Sequence, residues 1–146
     1  MPLNAAGLQS DLESLFAEPP ATAAECALAW ADAAEAWASG IVPPSTTVSA
    51  SKAALAAGLA GAFATPAAAP LMEAAFLAFA TAVGLGMAGY APVPPPAPIG
   101  LAVQFAGPKP TTHADAAQQI ASLLDTWMKT GTATLIAPPF TVLLWS

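Results

Sequence analysis

The stretch Gly58–Val83, GLAGAFATPAAAPLMEAAFLAFATAV, reads as a short apolar helix, a proline turn and a longer apolar helix. Leu55, Leu59 and Phe63 fall at i, i+4 and i+8, one helical face. Pro66 stops that helix, because proline lacks the N–H and restricts its predecessor. Met72, Phe76, Phe79 and Val83 then form the stripe of a second helix starting near Pro70, a residue tolerated in a first turn. The turn Phe63-Ala64-Thr65-Pro66 has two counterparts, Phe16-Ala17-Glu18-Pro19 and Phe105-Ala106-Gly107-Pro108, so the phenylalanines lie 47 and 42 residues apart. A Gly-Leu pair precedes each turn (Gly7-Leu8, Gly58-Leu59, Gly100-Leu101). Glycine and then proline follow each long segment (Pro43-Pro44, Pro94-Pro95-Pro96, Pro138-Pro139). A recurrence of this size marks one supersecondary unit used several times.

The flanking units fit that frame. In the first, about 1–48, Leu8, Leu12, Leu15 and Phe16 share a face, and Thr22-x-x-Glu25 has the form of a capping box. Cys26, Trp30, Ala33 and Trp37 make the stripe of the second helix, and Gly40 stands where a left-handed cap is expected. In the second unit, about 49–97, Gly84, Gly86 and Gly89 weaken the helix by roughly 1 kcal/mol each, so it should fray or stop between Val83 and Tyr90. The run Pro92–Pro98 then favours a stiff polyproline II spacer. In the third, about 98–146, Ile99–Phe105 is too short to assign to helix or strand. Thr112-x-x-Asp115 opens a helix whose face is Ile120, Leu123, Leu124, Trp127 and Met128, with Gly131 as cap. Thr132–Ile136 and Phe140–Trp145 read as extended or strand. The expected fold is one mainly α domain over 1–146: three helical hairpins, proline-rich extended connectors and a short C-terminal β arm. That arm either pairs at home or is donated to a neighbour.

Composition narrows the function. The chain has 146 residues, 56% of them hydrophobic, but alanine supplies much of that fraction and buries little area, so the core must rest on the Trp, Phe and Leu residues. Three lysines, no arginine and nine acids give a net charge of -6. Lys52, Lys109 and Lys129 lie in separate segments and cannot form the basic patch that nucleic-acid binding needs. So few charges would leave a lone monomer with a bland surface, and cover by other subunits is the simplest explanation. The N-terminus shows no basic region of a secretory signal. Ala74–Val93 is 20 residues without charge, long enough to span a membrane. Its glycines, Pro92 and the lack of flanking Lys or Arg favour a buried helix instead.

No catalytic set is visible. His113 is the only histidine and Cys26 the only cysteine. A disulfide within the chain, a thiolate cluster and a two-histidine metal site are therefore excluded. His113 reads as a solvated side chain near a helix start, and Cys26 as a structural thiol on an apolar stripe. Asp32 and Glu35 read as solvated helix charges, and Glu73 as an acid in a first turn. There is no phosphate loop, dinucleotide fingerprint or nucleophile elbow. No catalytic residue, cofactor, metal or small-molecule substrate is expected. The candidate partner contacts are Trp30 and Trp37, seven apart on one helix, with Phe140, Val142, Leu144 and Trp145 in the apolar tail. For the two helical tryptophans, core packing is the competing and preferred reading.

The opening Met1-Pro2-Leu3-Asn4, the Ala/Pro-rich body and the closing Leu124-Asp125-Thr126-Trp127 … Thr130-Gly131-Thr132-Ala133-Thr134 resemble small structural proteins of tailed-phage and prophage morphogenesis clusters. The resemblance implies a non-enzymatic virion component of tail, neck or baseplate rather than capsid. Such a protein is made in the bacterial cytoplasm and partnered by other virion proteins or copies of itself. It carries over no functional residue. The competing expectations are a free-standing helical binding module or adaptor and, more weakly, a membrane-associated helical protein.

Overall fold

Each Phe-Ala-x-Pro turn joins two helices. A computed structural model describes residues 2–146, so Met1, first residue of the opening motif, lies outside it. The first hairpin is α1 (Ala5–Ala17) and α2 (Ala23–Ala38), the second α3 (Val48–Phe63) and α4 (Ala68–Leu85), and the third α5 (Leu101–Ala106) and α6 (His113–Met128). The undecided segment Ile99–Phe105 is thus mostly helical. Local chemistry sets the starts. Thr22 and Glu25 exchange side-chain and backbone bonds of 3.2 Å in a full capping box, and Thr112 accepts from the Asp115 amide at 3.0 Å. Asn4 caps α1 through the Gly7 amide.

The helices pack in chain order, α1 on α2, α2 on α3, α3 on α4 and α4 on α5, and the ring closes through α6 on α1. Its weakest junction is α5 against α6, within the third hairpin. The leucine of each Gly-Leu pair (Leu8, Leu59, Leu101) is buried, as are the stripes read from sequence on α1, α3, α4 and α6 except for the half-buried Phe16, Phe63 and Leu123. Trp30 sits where hairpins meet, its ring 5.9 Å from Phe16 and 6.3 Å from both Phe63 and Phe76.

The proline-rich exits gather at one end of the ring. β1 (Tyr90–Val93) follows α4, β2 (Thr132–Leu135) follows α6, and β3 (Val142–Leu144) ends the chain, in an antiparallel sheet of order β1-β2-β3. The exit of the first unit joins them, since Val42 and Ser146 exchange backbone bonds of 2.9 and 3.1 Å. Each exit also holds one cis proline: Val42-Pro43, Ala97-Pro98 and Pro138-Pro139. The C-terminal arm therefore pairs within its own chain.

The second long helix stops between Val83 and Tyr90, as its glycines lead one to expect: α4 ends at Leu85, the chain turns through Gly86 and Met87, and β1 follows. The Ser45-Thr46-Thr47 loop fixes that end, its hydroxyls donating to the carbonyls of Val83 and Ala82 at 2.6 Å. Two local expectations are corrected: first, Tyr90–Val93 is strand rather than spacer. Ile136 donates to Gly89, so alternation turns the amide position of Pro92 away from β2, where a proline costs no ladder bond. Second, the left-handed glycines are Gly89 (φ 83°) and Gly100 (φ 102°), not Gly40 and Gly131. Gly131 instead makes room for the Trp145 ring, whose Cδ2 would lie 2.5 Å from an added Cβ.

Candidate functional site

The outer face of the sheet follows from the pairing. Leu135 donates to Thr141 and Trp145 donates to Gly131, so odd residues of β3 bond to β2 and even ones point their backbone groups outward. Ser146, the last outward position, is taken by Val42, and pairing stops there because Pro44, which would next bond to Leu144, has no N–H. Val142 and Leu144 form the open edge. Their side chains share the solvent face with Val93, because the register sets Val93, Thr132 and Leu144 in one row and Ala91, Thr134 and Val142 in the next. Ile136 continues that face along β2, and Phe140 ends it at the hairpin turn.

All five large apolar side chains are well exposed, from 58% for Phe140 to 66% for Leu144. Scattered single exposures are ordinary, but five on one small sheet face make a contiguous patch. The segments that form it are uncharged: no Asp, Glu, Lys, Arg or His occurs in 90–98 or 130–146. Natural edge strands are commonly blunted with lysine or another charge, and this one is not. Phe140 also adopts φ 52°, a left-handed conformation costing about 1–2 kcal/mol outside glycine, while its ring gains little burial within the chain.

The six predicted contact residues separate. Phe140, Val142 and Leu144 come together on this patch. Trp30, Trp37 and Trp145 lie in the core, inaccessible to a partner in this fold. Trp30 is held by three phenylalanines. Trp37 donates its indole N–H to Asp125 at 3.2 Å. Trp145 packs over Gly84 and Gly131, and its own N–H has no partner among the described residues. Sequence reasoning missed Val93, hidden in the proline run, and Ile136, whose place at the end of the Thr132–Thr134 alternation was a usable signal.

The titratable groups serve the scaffold. Lys52 of α3 bridges Asp32 and Glu35 of α2 at 3.0 and 2.8 Å, and its hydrogen bond draws the Glu35 carboxyl below the ordinary glutamate range. Burial pushes the half-buried Cys26 thiol up, away from thiolate chemistry. Glu73 is not a first-turn acid of its own helix. Its Oε1 accepts from the Gly100 amide at 3.0 Å and from the Ala102 amide at 3.4 Å, capping α5 from α4. His113 opens α6 on the surface. Among the described residues, no group of three or more His, Cys, Asp or Glu side chains could hold a metal ion.

Two other surfaces are apolar. An alanine-lined groove runs between α3 and α4 beside Gly58, and a cleft opens between α5 and α6. Helix α4 is long and apolar enough to cross a membrane by length and composition, yet its Met72, Phe76, Phe79 and Val83 face are buried in the ring. Set beside family models, curated proteins and solved structures, the chain matches none of them.

Proposed function

We propose that this chain is a non-enzymatic structural subunit of a tailed-phage virion or phage-tail-like particle, of tail or neck rather than capsid, and that it assembles through the outer face of its sheet. The assignment to a particle rests on the sequence resemblance. The observation that carries the assembly role is the uncharged patch of Val93, Ile136, Phe140, Val142 and Leu144 beside the open edge of β3. An extended segment of a neighbouring subunit added at that edge would satisfy the outward backbone groups and cover the patch.

The test is incorporation. Mass spectrometry of purified particles should find the chain, and a Val142→Asp/Leu144→Asp variant should fold but be left out of them. Particles that lack the wild-type chain, or that take up the variant equally well, would overturn the proposal.

A free-standing helical binding module is the second reading. It is favoured by a helical ring that closes on itself, with Trp37 and Trp145 each only 1% exposed. A cooperative monomer that persists across the micromolar range, joined with absence from particles, would establish it instead.

A further inference from the structure

Aligning α2 and α6 by their caps shows what differs at the third hairpin. Each helix is 16 residues long, with a threonine N-cap and an acid at the third position, Glu25 or Asp115. In this alignment Trp37 corresponds to Trp127 and Trp30 to Ile120. The first two turn phenylalanines, Phe16 and Phe63, both pack on Trp30. The third, Phe105, faces the smaller Ile120 side of α6, has no aromatic partner among the described residues and is 44% exposed. Helix α5, with 6 residues, is too short to close over the gap. What remains is an open cleft of about 370 Å³ with walls that include Phe16, Phe105, Pro108 and Ile120.

Its rim carries the opposite charge to the rest of the molecule. Acids outnumber lysines nine to three in this chain, yet no acid lines the cleft, and Lys109 and His113 do. Lys109 makes no ion pair among the described residues, whereas Lys52 and Lys129 both do. Asp115, the acid nearest in sequence, is held outside the cleft by the Thr111 hydroxyl at 3.2 Å.

We propose that this cleft docks a peptide segment of a partner protein carrying an aromatic side chain next to a carboxylate. The ring enters between Phe16, Phe105 and Ile120, taking the place beside Phe105 that Trp30 fills beside Phe16 and Phe63. The carboxylate meets Lys109 and the His113 end of α6. This surface is separate from the sheet patch, so the proposal stands or falls independently of the assembly role.

The test uses the full chain, isotope-labelled, and a blocked pentapeptide with one phenylalanine between two glutamates, titrated at low salt. Amide shifts should concentrate at Gln104–His113 and Ile120. Replacing the glutamates by glutamines should weaken binding about fivefold, the upper range for an exposed ion pair, and replacing the phenylalanine by alanine should abolish it. On the protein side, Lys109→Gln with His113→Gln should reproduce the glutamine effect. Ile120→Trp should fill the cleft from within and block the peptide without lowering the melting temperature.

Shifts centred on another surface, equal binding of the glutamine peptide, or undiminished binding to a folded Ile120→Trp variant would overturn the proposal. So would cleft shifts that grow with protein concentration in the absence of peptide, since a second copy would then be the occupant.

Discussion

The indole N–H of Trp37 donates to Oδ1 of Asp125 at 3.2 Å, a bond across 88 residues that ties α2 of the first hairpin to α6 of the third. The other carboxylate oxygen accepts from Lys129 Nζ at 2.6 Å. Asp125 is 8% exposed and Trp37 1%. A carboxylate so placed is tolerable only with donors on both oxygens, and these two supply them. The bond sits near the junction where the helical ring closes, so it specifies which helices are neighbours.

Asp125→Ala would leave the Trp37 N–H buried without an acceptor, at a cost of about 1–3 kcal/mol. Asp125→Asn keeps an acceptor and should cost less. In a double-mutant cycle with Trp37→Phe, the pair should show a coupling of roughly 0.5–3 kcal/mol by urea denaturation. Additive losses would mean that the two side chains do not interact.

Trp145 makes the opposite case. It is as deeply buried as Trp37, but its N–H has no partner among the described residues. Trp145→Phe removes that unpaired donor along with some packing area, so it should destabilise less than Trp37→Phe by about 1 kcal/mol or more. Gly131→Ala places a methyl against the Trp145 ring, and overpacking of this kind costs about 1–3 kcal/mol. Most of that penalty should vanish in a Trp145→Ala background. A penalty that stays the same in both backgrounds would place its origin elsewhere.

These two tryptophans also mark how far the sequence could be read. Helical period and proline turns located all three hairpins, because Leu8, Leu12, Phe76, Phe79 and Leu124 repeat at spacings that only a helix can turn to one side. Strand content in the tail was legible from β-branched and apolar residues. The burial of Trp145 was not, since whether a terminal strand pairs at home depends on Val42 and Gly131, distant in sequence. Strand β1 was masked by its proline, which is harmless only because its amide position faces away from β2. The sheet patch was half visible: Phe140, Val142 and Leu144 stood out as apolar residues at the end of the chain. Val93 joins them only through register, which no local pattern encodes.

Glu73 offers a test of how the third hairpin is anchored. Its carboxylate caps a 6-residue helix that has no side-chain cap of its own. Loss of an N-cap typically costs about 1 kcal/mol. Glu73→Ala should therefore lower overall stability by about that amount and speed amide exchange at Gly100 and Ala102 more than in α6. Glu73→Gln, which retains an acceptor oxygen, should restore much of the protection. Uniform acceleration across α5 and α6 would show that the carboxylate holds no particular amides.

The junction between α2 and α3 should respond to pH through Lys52. Its hydrogen bond holds Glu35 below the ordinary glutamate value of 4.5, and the bonds from Glu35 and Asp32 raise Lys52 above the ordinary lysine value of 10.5. A depressed carboxyl contributes stability that is present above its unfolded value and lost as pH falls through the folded one. A raised lysine contributes stability that is present below its unfolded value and lost as pH rises through the folded one. The bridge therefore acts between about pH 4.5 and pH 10.5. All three side chains are partly or largely solvent-accessible, so the contribution should be small and should shrink in salt. Lys52→Met should lower the melting temperature slightly at pH 7 in low salt, with the difference narrowing below pH 4 and in about 1 M salt. A difference that persists unchanged at acid pH and high salt would trace the effect to packing of the lysine stem against α2, not to its charge.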